Sequence, residues 1–144
     1  MEKQRIMPKD LWDWPVPTPF TQGWKISGDY ELIFVGGQIS VDENNNIIGK
    51  GDIEVQTRNV FQNIEKVLRD AGAKMTDVVK FNTFYCFEGS GKEVQDFWEK
   101  MTKVRLEFFE TPGPVGTAVR CSGFMLDDIL IEVEAIAVIP KESN

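Results

Sequence analysis

The C-terminal segment Ile131-Glu132-Val133-Glu134-Ala135-Ile136-Ala137 constrains the fold more than any other stretch of the chain. It reads as a strand over 129–139 in which Ile129, Ile131, Val133, Ala135 and Ala137 share one face, while Leu130, Glu132, Glu134, Ile136 and Val138 share the other. The first face is wholly apolar and needs a covering layer. The second is half apolar and carries two carboxylates, which are costly to bury by several kcal/mol unless something pairs with them. Glu132 or Glu134 therefore calls for a partner, a water-filled pocket or a subunit boundary. The Gly/Pro-rich run Gly113-Pro114-Val115-Gly116-Thr117-Ala118-Val119-Arg120 leads into the strand before it.

The remaining pattern supplies the covering layer. Apolar residues at Ile53, Val60, Phe61, Ile64, Val67, Leu68 and Ala71 predict an amphipathic helix, with Asp52 as its N-cap and Gly72 at its C-terminal cap. Val94, Phe97, Trp98, Met101, Val104 and Phe108 predict a second, opened by a Ser90/Glu93 capping box and stopped by Pro112 and Pro114. Strands are expected at 78–87, about 116–124 and 129–139, and as a hairpin from Gly23 to Gly37 turning at Gly28-Asp29. Leu32-Ile33-Phe34-Val35 is apolar on both faces, which predicts a central strand. Residues 1–19, rich in Pro and Trp, read as an extended arm anchored by Trp12 and Trp14, and 20–144 as a single domain.

The order β-β-α-β-α-β-β gives an α+β fold with two helices on one face of one sheet. No third layer remains for the other face, so a second copy of the chain is expected to cover it, with ligand pockets near the subunit boundary.

Composition narrows the function. With 16 Lys and Arg against 23 Asp and Glu, the net charge of -7 speaks against nucleic acid and anionic membranes as partners. No apolar run approaches the roughly 20 residues that span a bilayer. Cys86 and Cys121 have no CxxC spacing and no signal-like segment opens the chain, which predicts a cytoplasmic, reduced protein. The chain has no histidine, which removes Ser–His and Cys–His nucleophile pairs and the usual zinc ligand. No metal site is expected, and chemistry must rest on carboxylates, Arg, Lys, hydroxyls, backbone groups or water.

Several stretches together resemble the RidA/YjgF family, the reactive intermediate deaminases, also described as endoribonuclease L-PSP-like. They are Phe20-Thr21-Gln22-Gly23, Ile33 through Ile39 with Gly36-Gly37-Gln38, Gln56-Thr57 through Asn63-Ile64, Ala71-Gly72-Ala73 with Asp77 through Lys80, and Ile131 through Ala137. The resemblance implies a chorismate-mutase-like mixed sheet with two helices on one face, a homotrimer, and clefts between subunits that bind small molecules. It also implies hydrolysis of enamines and imines to ketoacids and ammonia without metal or cofactor.

Carried over residue by residue, the resemblance makes Glu132 the group that positions the attacking water, and Gly37 with Gln38 the family Gly-Gln pair. Gly116, with Thr117 next to it, stands where the family has a substrate-gripping arginine. Phe20 replaces a tyrosine, Gly36 a serine and Thr102 an asparagine. The expected site is thus catalytic Glu132 with Arg120, Gly37, Thr117, Phe20, Gly116 and Thr102 around an anionic imine or carboxylate. Arg120, four residues past Gly116, either enters that cleft or pairs with Glu132, Glu134 or a neighbouring subunit. Arg105 reads as a solvated or interface charge, and Cys121 as a small core thiol rather than a reactive one. Three functions stay open: a RidA-like enzyme of altered substrate range, a non-catalytic metabolite binder, and, least favoured, a ribonuclease or translation inhibitor.

Overall fold

The computed structural model describes residues 1–15 and 18–142; Val16 and Pro17 of the expected arm, and Ser143 and Asn144 of the expected domain, lie outside the described residues. The strands are β1 (Glu2–Ile6), β2 (Gly23–Ser27), β3 (Tyr30–Gln38), β4 (Val78–Tyr85), β5 (Val115–Arg120) and β6 (Ile131–Pro140). The helices are α1 (Ile53–Asp70) and α2 (Lys92–Phe108), with a short 3-10 turn at Met75–Asp77. A four-stranded mixed sheet runs β3-β6-β4-β5, and β1 and β2 form a separate two-stranded ribbon. Only β4 and β5, joined through α2, are parallel.

Both helices cover one sheet face, so the expected α+β fold stands. The last strand fulfils its pattern: Ile131, Val133, Ala135 and Ala137 are buried beneath the helices with Val60, Phe61, Ile64, Leu68 and Met101. α1 begins at Asp52, whose carboxylate accepts from the backbone N–H of Glu54 and Val55 at 3.0 and 3.1 Å. It ends as a Schellman motif, with Gly72 at φ +76° and the Ala73 N–H reaching the Leu68 carbonyl at 2.8 Å.

Five expectations are corrected. The hairpin from Gly23 to Gly37 does not form, because β2 pairs instead with β1, from Glu2↔Ser27 to Ile6↔Gly23. The arm over 1–19 therefore opens with a regular strand. Lys3, Gln4 and Arg5 bury nothing, and a strand with no buried face leaves no alternation to read. β3 is an edge strand rather than a central one, and its second apolar face is open, with Phe34 71% exposed. On α1, Val67 and Ala71 lie outside the core and Gln56 and Thr57 inside it, because the helix meets β6 along the stripe those two residues share with Val60 and Ile64. The α2 capping box is absent: Gly91 is the N-cap, and Ser90 contributes only its carbonyl, to the Glu93 N–H at 3.3 Å.

Candidate functional site

Side chains from α2, β4, β5 and the N-terminal segment enclose a cavity of about 620 Å³ on the helix side of the sheet. Trp98, Val94 and Gln95 of α2 form one wall, Phe81, Thr83 and Tyr85 of β4 the floor, and Gly116, Thr117 and Ala118 of β5 the edge. Trp12, Trp14 and Phe20 close it. Trp12 stacks on Phe20 at 5.5 Å between ring centres, and Trp14 stacks on Trp98 at 6.4 Å, so the segment that the sequence marks as anchored by tryptophans is also a cavity wall. Arg5 of β1 fixes Phe20 by donating to its carbonyl at 2.9 Å, and Trp24 of β2 donates its indole N–H to the Gly113 carbonyl at 3.1 Å. The ribbon thereby ties down Phe20 and the turn that leads into β5.

Arg105 of α2 reaches the cavity and is only 7% exposed. Its guanidinium lies between two aromatic faces, 4.9 Å from the centre of Phe81 and 4.8 Å from that of Trp98. Among the described residues no carboxylate comes within ion-pair distance of it, and its Nε–H has no hydrogen-bond acceptor. Burial pushes its pKa down to about 10, so it keeps its proton at neutral pH. The expectation of a solvated charge at Arg105 is thus corrected. The sequence carried a signal: Arg105 falls four residues after Met101 and seven after Trp98, on the buried stripe of α2.

The sequence-expected site residues separate into groups. Phe20, Gly116 and Thr117 line the cavity. Thr102 is buried on α2 one turn before Arg105, its hydroxyl without a partner among the described residues. Glu132 and Gly37 meet on the opposite side of the sheet. Glu132 is in register with Phe84, and Phe84 with Val119, on the face the helices leave open. Gly37 lies in the bulge of β3 between Val35 and Gln38, where a Cβ would collide with Glu132 Oε1 and come 3.0 Å from its Cδ. Glycine there lets the carboxylate rest on the β3 backbone.

Arg120 joins neither group. Its register with Tyr85, and that of Tyr85 with Ile131, puts it on the helix-side face, opposite Glu132. It is exposed and donates to the Gly89 carbonyl at 2.8 Å. Within one chain it pairs with neither Glu132 nor Glu134, because β4 separates β5 from β6. Glu134 instead accepts from the Asn82 amide at 2.9 Å.

Cys86 and Cys121 face each other with sulfurs 3.6 Å apart. Burial, with the hydrogen bond between the thiols, pushes the Cys86 thiol up to about 11, so it is a poor nucleophile at neutral pH. Among the described residues no cluster of His, Cys, Asp and Glu suits a metal ion, and no helix is long and apolar enough to cross a membrane.

Fold and site together define a two-layer α+β protein with a preformed cavity of small-molecule size at the edge of its sheet. Residues 16–139 match the family described as Endoribonuclease L-PSP, and the chain belongs to this RidA/YjgF family. It is 40% identical over 119 residues to a RutC family protein of Pyrococcus abyssi, covering 83% of this chain and 85% of that one. A RutC family protein of Pyrococcus horikoshii is 39% identical, covering 83% and 86%. Among solved structures it resembles the Rid-family protein YyfB of Yersinia pestis, with 26% identity, a TM-score of 0.78, and 96% and 100% of the two chains covered. RidA of an Antarctic Psychrobacter, at 23% identity and a TM-score of 0.65 over 94% and 99% of the chains, shares the fold.

Proposed function

We propose that the protein is a RidA-like enzyme that hydrolyses an enamine or imine, or adds water to a related substrate, at clefts between the subunits of a homotrimer. The single observation carrying this reading is the Glu132 carboxylate seated on Gly37, half-buried on an apolar sheet face that the chain itself leaves uncovered. Glu132 is the position that matches the family's water-orienting glutamate. Phe20 and Gly116 belong to the cavity on the other side of the sheet, so one complete site needs Glu132 and Gly37 of one subunit beside the cavity of another.

The chemistry requires only a base. Glu132 takes a proton from water as its oxygen adds to the C=N carbon; the resulting carbinolamine collapses, the C–N bond breaks, and a ketone and ammonia leave. The imine nitrogen receives the protons the water loses, so atoms balance without a metal or cofactor. Gly116 in place of an arginine makes the small imines derived from serine and threonine poor substrates.

The test generates imines in situ with an amino-acid oxidase, over a panel of parent amino acids, and follows ketoacid formation. At least one imine with a bulky side chain should be hydrolysed faster with the protein present. Glu132→Gln should lower that acceleration by about 100-fold or more while light scattering and circular dichroism stay unchanged. Absence of acceleration across the panel, or full activity in Glu132→Gln, would favour the other reading, a trimer that binds a metabolite without turning it over. The net charge of -7 disfavours a ribonuclease.

A further inference from the structure

An arginine buried against an aromatic cavity, its Nε–H without an acceptor among the described residues, is costly to the fold relative to one in water. Proteins ordinarily balance such a cation with a carboxylate, and here none is within reach among the described residues. The faces of Phe81 and Trp98 offset part of the cost but satisfy no N–H. The Thr83 hydroxyl, on the same cavity floor, is also buried without a partner among the described residues. Buried polar groups left unsatisfied beside a cavity are what a bound ligand would complete.

We infer that the cavity is a carboxylate site whose anchor is Arg105 of α2, and that its aromatic walls select a carboxylate carrying a planar apolar body. The guanidinium fork matches a carboxylate in two parallel hydrogen bonds, and a threonine hydroxyl can donate a third. Among the described residues one cation lines the cavity, which suits a monoanion better than a phosphate dianion. About 620 Å³ exceeds what a three- or four-carbon acid fills, and Trp12, Trp14, Phe20 and Trp98 offer stacking faces for the rest. The arginine arrives from the helix wall rather than from the strand position occupied by Gly116. The inference deepens the proposed function by naming its substrate class and rests on that reading only for turnover, since binding needs only the cavity.

Three of the chain's four tryptophans line the cavity, so intrinsic fluorescence reports occupancy. The probes are phenylacetate, its neutral analogue phenylacetamide, and inorganic phosphate, titrated into the full chain. Phenylacetate should saturate the signal with an affinity roughly tenfold to a hundredfold above that of phenylacetamide, and phosphate should not compete. Arg105→Met should remove the preference, and Arg105→Lys should keep only part of it. Because no carboxylate pairs with Arg105 among the described residues, Arg105→Met should fold, with an unchanged or raised melting temperature. Should it not fold, Thr83→Val, which removes a smaller part of the preference, and the wild-type contrast between acid and amide decide the matter.

Equal affinity for acid and amide, no saturation by either, displacement by phosphate, or an Arg105→Met protein that still prefers phenylacetate would overturn the inference. Retained preference with no imine hydrolysis would sink only the catalytic reading, and hydrolysis with no preference would sink only this one.

Discussion

Gly116 and Gly36 are the two glycines at which the family resemblance leads one to expect a functional side chain, yet their surroundings differ. A Cβ on Gly116 would run into the Phe81 carbonyl of the paired strand, which is backbone and cannot swing aside. No heavy atom lies within 4 Å of a Cβ on Gly36. Gly116→Arg should therefore destabilise the protein by about 2 kcal/mol and fail to restore a strand-borne anchor, whereas Gly36→Ser should change stability by less than about 0.5 kcal/mol. Denaturant midpoints of the two variants check this; a stable Gly116→Arg protein would show that β5 can move away from β4. Register explains the expectation about Arg120 in the same way. Its spacing from Gly116 correctly put both on one face of β5, but the sequence could not tell that this face is the one opposite Glu132.

Among the elements, α1 does more than cover the sheet. Its buried Gln56 donates to the carbonyls of Gly49 and Asp128 at 3.1 and 2.8 Å, and accepts from the Leu130 N–H at 2.8 Å. One side chain thus ties the loop before α1 to the residues that launch β6, two positions ahead of Glu132. Gln56→Leu keeps the volume but leaves three backbone groups unsatisfied, and should cost about 3 kcal/mol or more in guanidinium unfolding. A loss under about 1 kcal/mol would mean that water takes over those groups. α1 was legible because its buried face repeats at helical spacing and both ends carry capping residues. β1 was not, since its five residues are exposed and its pairing depends on where β2 is free.

At the scale of the whole molecule, the uncovered sheet face is the main unfinished business of the chain. Leu32 at 49% and Phe34 at 71% exposure on β3, and Val119 at 43% on β5, lie on it. Large apolar side chains grouped on one face mark a contact surface. A homotrimer should be seen by light scattering, and Phe34→Glu should shift the mass to monomer while circular dichroism and the phenylacetate preference persist. A wild-type protein that stays monomeric at micromolar concentration would remove the inter-subunit site and leave the Arg105 cavity standing.

The sequence by itself determined the α+β layout, both helices, the buried face of β6 and the family, because periodicity and capping are local properties that repeat along the chain. The family resemblance singled out Glu132 and Gly37 separately, and the fold brings the two into contact at the β3 bulge. The tertiary structure alone decided that β3 lies at an edge, that Arg120 and Glu132 occupy opposite faces, and that Arg105 is a buried cation with no carboxylate beside it among the described residues. Which face a strand presents to which neighbour is set by pairing between segments far apart in sequence, and whether a charge is solvated is set by everything packed around it. Neither is written in the residues adjacent to it.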